Sequence, residues 1–166
     1  MKKKNSIIIG FFLLIFITGC AGYKPIFKSK NLPLIISNYS IEGEKFLGNK
    51  IYLKLNNLLK ANKNNKDLKK INIIIKVEKN KNIASKDGAG KVLEYRVSLN
   101  AKIEVENANN NNEIVNQNFE ASVNYKAQNQ YSDTISLEKK SIDDLLDRIY
   151  QDFLFKLTQN TLPQWL

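Results

Sequence analysis

Few side chains in this sequence have the chemistry of a catalytic centre. The 166 residues contain no His and a single Cys. That excludes imidazole acid–base catalysis, a Cys–His nucleophile pair, Cys/His zinc sites and an intramolecular disulfide. A glycine-rich stretch, Asp87-Gly88-Ala89-Gly90-Lys91, invites comparison with a phosphate-binding loop, but Ser85 stands where the first Gly belongs and Val92 follows the Lys. It also leads into a strand pattern, whereas a phosphate loop opens a helix, so a flexible loop is the expectation. Asp143, Asp144 and Asp147 have the composition of a metal or acid–base site, yet a position near a helix N-terminus accounts for them through the helix dipole. Asn38-Tyr39-Ser40 matches a glycosylation acceptor but falls inside a strand pattern, and it is set aside as chance. No nucleophile and base stand at a recognisable spacing. The expectation is a protein that is not an enzyme and uses neither cofactor nor metal.

The elements around these residues are read from hydrophobic period. Leu34 to Ile41, between Pro33 and Gly43, fits a first strand with imperfect alternation. Leu47, Ile51, Leu55, Leu58 and Leu59 recur at helical spacing within Glu44 to Ala61. After a polar stretch, Ile71, Ile73, Ile75 and Val77 alternate with polar residues, Ile74 being the exception. From Leu93 to Val105 the alternation is unbroken. Asn107 to Asn112, with five Asn in six residues, then turns the chain into a strand from Val115 to Tyr125, which predicts a long antiparallel hairpin. Ile142, Leu145, Leu146, Ile149, Tyr150, Phe153, Leu154 and Leu157 mark a closing helix over about Ser136 to Asn160. Ser141 with Asp144 reads as a capping pair near its start, and Asn160 with Pro163 as its stop. The order β-α-β-β-β-α predicts an α+β two-layer sandwich, two helices covering one face of a four-stranded sheet. The other sheet face would display Glu94, Arg96, Ser98, Asn100, Lys102 and Glu104.

The N-terminus has its own grammar. Lys2, Lys3 and Lys4 precede eleven residues from Ile7 to Ile17 that are apolar apart from Gly10, followed by Thr18-Gly19-Cys20. This is the order of a secretory signal peptide, and the apolar run is too short for a transmembrane helix. Ile17-Thr18-Gly19-Cys20 resembles a bacterial lipobox, in which the thiol takes a diacylglycerol and the new terminal amine an acyl chain such as palmitate. The expectation is cleavage after residue 19, lipid attachment at Cys20, a tether over 20–33 and a single domain over 34–166. Residue 21 is Ala rather than Asp, which in that class implies sorting to the outer membrane of a Gram-negative envelope, facing the periplasm. Several acyl chains, at about 0.8 kcal/mol per buried CH₂, would hold the protein on the membrane without spanning it.

The formal charge of +10 would suit nucleic acid, but the location does not, and no nucleic-acid partner is expected. Of 26 basic residues only Arg96 and Arg148 are arginine. The joint excess of Lys, Asn and Ile is what an AT-rich genome writes. What remains of the charge suits an anionic partner.

With these elements in place the chain resembles the LPS-assembly lipoprotein LptE family, whose members partner the outer-membrane β-barrel LptD. Cys20-Ala21-Gly22-Tyr23-Lys24-Pro25 is similar to the family's Cys-Gly-aromatic-x-Pro start, with one extra Ala. Glu94-Tyr95-Arg96-Val97-Ser98-Leu99-Asn100-Ala101 is similar to its Glu-Tyr-x-hydrophobic strand, and Asp147-Arg148 followed by Ile149 to Leu157 is similar to its closing helix. The resemblance implies a mixed sheet and a noncatalytic role: plugging the barrel and assisting insertion of lipopolysaccharide into the outer leaflet. A lipopolysaccharide-binding role also follows from it. Strand geometry, rather than any family motif, nominates Arg96 and Lys102 as the groups that meet anionic phosphates. The alternative is an auxiliary subunit of another lipid transport system with the same anchor.

Overall fold

The structure, a computed structural model, describes residues 32–60 and 68–161. The signal peptide, Cys20, most of the tether, Pro163 and Trp165 lie outside the described residues. The elements are β1 (Leu34–Gly43), α1 (Lys45–Lys60), β2 (Lys69–Lys86), β3 (Val92–Asn107), β4 (Glu113–Lys126) and α2 (Tyr131–Thr161). They form one four-stranded sheet in the order β1-β2-β3-β4. β1 runs parallel to β2, and the other two pairings are antiparallel. The expected α+β sandwich, with two helices on one face of a mixed sheet, is the fold observed. Among the described residues no helix is long and apolar enough to cross a membrane.

The core lies between the sheet and the helix layer. Ile71, Ile73, Ile75 and Val77 of β2 and Val97, Leu99, Ala101, Ile103 and Val105 of β3 are all buried there. Ile51 and Leu55 of α1 and Leu146, Ile149, Phe153 and Leu157 of α2 close it from above, with Phe119 of β4 edge-on to Phe153 at 5.9 Å between ring centroids. Leu32, ahead of β1, is buried as well. α1 covers β1 and β2 while α2 covers β3 and β4. The imperfect alternation of β1 has a structural cause, a bulge between Ile36 and Asn38 that changes which residues face the helices.

Two turns show how local chemistry sets the chain path. Gly43 has φ +70, and a Cβ there would lie 2.2 Å from the Val77 carbonyl oxygen, so only Gly lets β1 leave the sheet at that point. The Glu44 N–H then donates to the same oxygen, and α1 begins. The Asn-rich turn uses its amides: Asn107 Oδ1 accepts from the Asn109 N–H and Asn110 Oδ1 from the Asn112 N–H, with Asn111 at φ 56.

Four expectations are corrected. β2 continues nine residues past Val77, to Lys86, because backbone ladder bonds to β3 need no apolar side chains and α1 does not reach that far. Asp87 to Lys91 is not a flexible loop but a hairpin turn, in which Asp87 Oδ1 accepts from the N–H groups of Ala89 and Lys91. α2 begins at Tyr131 rather than about Ser136, so Ser141 and Asp144 lie in mid-helix and cap nothing. Asp143 and Asp147 do not serve the helix dipole either. They pair with Lys50 and Lys54 of α1, the first at 2.6 Å, making a two-rung ladder across the seam between the helices.

Candidate functional site

The open face of the sheet carries the residues nominated from the sequence. Arg96 and Lys102 both lie on β3 with exposed side chains. Six residues separate them, about 20 Å along a strand. The Arg96 guanidinium donates to Ser122 Oγ on β4 at 2.9 Å, which orients it across the strands. Lys102 pairs with Glu104 at 2.6 Å, and this hydrogen bond raises the lysine above its ordinary pKa. The register adds a residue that sequence reasoning missed: Lys76 of β2 lies directly opposite Lys102. Like charges so placed repel, and each lysine is held by a glutamate two residues along its own strand, Lys76 by Glu78 at 3.1 Å. The signal was available in principle, since Lys76 follows the polar phase of β2, but it needed the register. Around them Asn100 donates to Glu120 and Asn38 to Asn72. The face is thus polar, mixed in sign and largely satisfied within itself.

A second cluster stands at the other end of the sheet, under the first turns of α2. Past Val77 the core-facing positions of β2 become Lys79 and Lys81, a break in the apolar alternation that was the one sequence sign of this site. Lys81 Nζ reaches Glu138 Oε2 of α2 at 2.5 Å, and the Tyr125 hydroxyl donates to the same oxygen at 3.0 Å. The ammonium also lies 4.5 Å from the centre of the Tyr95 ring, a favourable cation–π contact. The Glu138 hydrogen bond holds Lys81 above its ordinary pKa. Burial works to raise Glu138, but the hydrogen bonds from Lys81 and Tyr125 outweigh it and keep the carboxyl low. Burial pushes the Tyr125 phenol up. Nearby, Thr134 is the buried polar residue among those described; its Oγ1 accepts from the Gln128 N–H at 2.8 Å and fixes the link between β4 and α2. This is a strut that ties β2 and β4 to α2 through Glu138 Oε2.

Neither cluster has the form of a reaction centre. Among the described residues no group of three His, Cys, Asp or Glu is placed to hold a metal. An open depression between β4 and α2 is lined by Gln117, Phe119, Glu120, Asp152, Phe155 and Lys156 among others.

Comparison with known proteins gives a consistent result. The chain is similar to a lipoprotein of Caulobacter crescentus, with TM-score 0.51 and 15% identity over 80% of this chain and 94% of that one. It is also similar to lipoprotein B of Nitrosomonas europaea, with TM-score 0.51 and 17% identity over 80% and 87% of the two chains. At these identities the likeness is one of fold. No sequence among the curated proteins matches the chain. A family model for lipopolysaccharide assembly, LptE, matches residues 34–159, from the first residue of β1 almost to the end of α2. The chain belongs to the LptE family of lipopolysaccharide-assembly proteins.

Proposed function

We propose that the protein is an outer-membrane lipoprotein, anchored through an acylated Cys20, that assembles with an LptD-like β-barrel, plugs its lumen and assists insertion of lipopolysaccharide into the outer leaflet. The observation that carries this reading is the family match over residues 34–159. The polar open face of the sheet, with Arg96 and Lys102 exposed on it, agrees with this reading in kind. Purification of the tagged protein from its native outer membrane in mild detergent tests it, with mass spectrometry of the partners and of the Cys20 peptide. A large barrel at equal stoichiometry with acylated Cys20 is expected. Acylated Cys20 without a barrel would favour an auxiliary role in another lipid transport system.

For direct contact with lipopolysaccharide, the proposal rests on Arg96 and Lys102. Lys102 has Lys76 across the strand pair and a half-exposed carboxylate, Glu104, as its acceptor. A phosphate group would replace that carboxylate with a stronger acceptor and relieve the repulsion between the two lysines. Replacing Arg96 and Lys102 by Glu should weaken lipopolysaccharide binding and leave barrel association intact. An unchanged binding curve across several salt concentrations would sink this assignment.

A further inference from the structure

The outward surface of α1 differs in kind from the other surfaces described. Its 16 residues include Lys45, Lys50, Lys54 and Lys60 and no Asp or Glu. Lys50 and Lys54 lean toward α2, whereas Lys45 and Lys60 have no ion-pair partner among the described residues. Between these lysines Phe46 is 69% exposed and Leu53 47% exposed. They are seven positions apart, two turns along one face and about 10 Å in rise. On the flank Tyr39 of β1, 54% exposed, stacks on Tyr52 at 4.0 Å.

The core gains nothing from this arrangement, and among the described residues the one contact the Phe46 ring makes with a charge is with the Lys50 ammonium, 4.8 Å from its centre. An aromatic and an aliphatic side chain in water, set among the lysines of a helix that has no acidic residue of its own, contribute no core packing. The sheet's open face, by contrast, settles its charges internally through Lys76–Glu78, Lys102–Glu104 and Arg96–Ser122. Apolar anchors inside a polar rim are the anatomy of a protein interface, and a helix whose own charges are all cationic asks for carboxylates opposite.

Resting on the reading of the chain as the partner of an LptD-like barrel, we propose that α1 is the element pressed against that barrel, with Phe46 and Leu53 seated on an acidic segment of its inner wall. The lumen-facing side of a membrane barrel is polar, so its wall can carry the carboxylates that the Lys45 and Lys60 ends of the stripe would meet. The open sheet face, with Arg96 and Lys102, is left clear of that contact, since the two surfaces lie on opposite layers of the sandwich.

The test places a photoreactive phenylalanine analogue at Phe46, at Leu53, or at Ser98 on the open face, in the full chain in its native membrane. Barrel adducts from positions 46 and 53 are the expected result. Lipid adducts alone at those positions, or barrel adducts from 98 with none from 46 or 53, overturn the proposal. A paired experiment compares barrel recovery by the wild type and by the K45E/K60E variant near physiological salt, with thermal unfolding as a folding control. At least a tenfold loss with unchanged unfolding is expected. Equal recovery overturns the proposal alone, while a wild type that brings down no barrel overturns the parent reading as well.

Discussion

The two helices lie side by side on one sheet, but their charges serve different ends. α2 carries six acidic residues against four basic ones, and three of the acids are used inside the molecule: Glu138 on β2, Asp143 and Asp147 on α1. α1 carries only lysines, half of them directed at α2 and the rest outward. An element whose polar residues are consumed by its neighbours stabilises the fold, while one with unmatched charge and exposed apolar side chains is free to bind. On that contrast α2 is the spine of the molecule and α1 its working surface.

Core truncations probe the contrast most strongly. Phe153→Ala removes a fully buried ring from between α2 and Phe119 and should cost about 3–5 kcal/mol. Its chemical-denaturation midpoint would show this. Phe46→Ala, on the same reading, should leave the midpoint within about 0.5 kcal/mol of wild type because its ring packs into no core. A large loss at Phe46 would mean that α1's outer face is structural after all. Gly43→Ala comes next. A side chain at positive φ costs about 1–3 kcal/mol, and the Val77 carbonyl blocks the Cβ position outright. The start of α1 should loosen, with faster amide exchange at Leu47 and Gly48, whose N–H groups bond to the Glu44 carbonyl.

What could be read in the sequence follows the helix layer above each strand. β3 was legible along its whole core-facing row because Val97 to Val105 is roofed by helix and every second side chain must be apolar. β2 was legible only to Val77, since beyond it no α1 lies above and Lys79 and Lys81 break the pattern. The first turn of α2 was missed for a related reason: Tyr131 is 78% exposed and Thr134 is its one buried residue. Asp143 and Asp147 were misread because acids four apart fit a helix start and an interhelical ladder equally well. Lys50 and Lys54, also four apart, were the missing half of that pattern. Arg96 and Lys102 were found on the open face by period alone, whereas Lys76 needed the strand register.

A titration of the strut should show which end of α2 matters more. Glu138→Gln replaces a half-buried charged acceptor that receives two hydrogen bonds and should cost about 1.5–3 kcal/mol at neutral pH. Because the folded carboxyl sits below its ordinary value of 4.5, its contribution is present above that pH and fades as pH falls through the lower folded value. Lys81 behaves in the opposite sense. Its folded value lies above the ordinary 10.5, so its share is full below 10.5 and is lost as pH rises through the folded value. The deficit of the Gln variant should therefore shrink on acidification, measured as the difference between denaturation midpoints at pH 7 and pH 3. A deficit that does not change with pH would assign the loss to packing rather than charge.

The smallest effect tests the seam itself. Both members of the Lys54–Asp147 pair are more than a third exposed, so a double-mutant cycle with Ala should give a coupling of about 0.2–1 kcal/mol, weakening in high salt. Lys54 also lies 5.8 Å from the centre of the Tyr150 ring. Lys54→Ala should therefore cost more than Asp147→Ala, and only the cycle separates the ion pair from the ring contact. A measurable coupling would mean that α2 holds α1 in position as a platform, joining the spine to the working surface. A coupling of zero would leave α1 held by the sheet alone, with Lys50 and Lys54 free to exchange their aspartates for carboxylates on a partner.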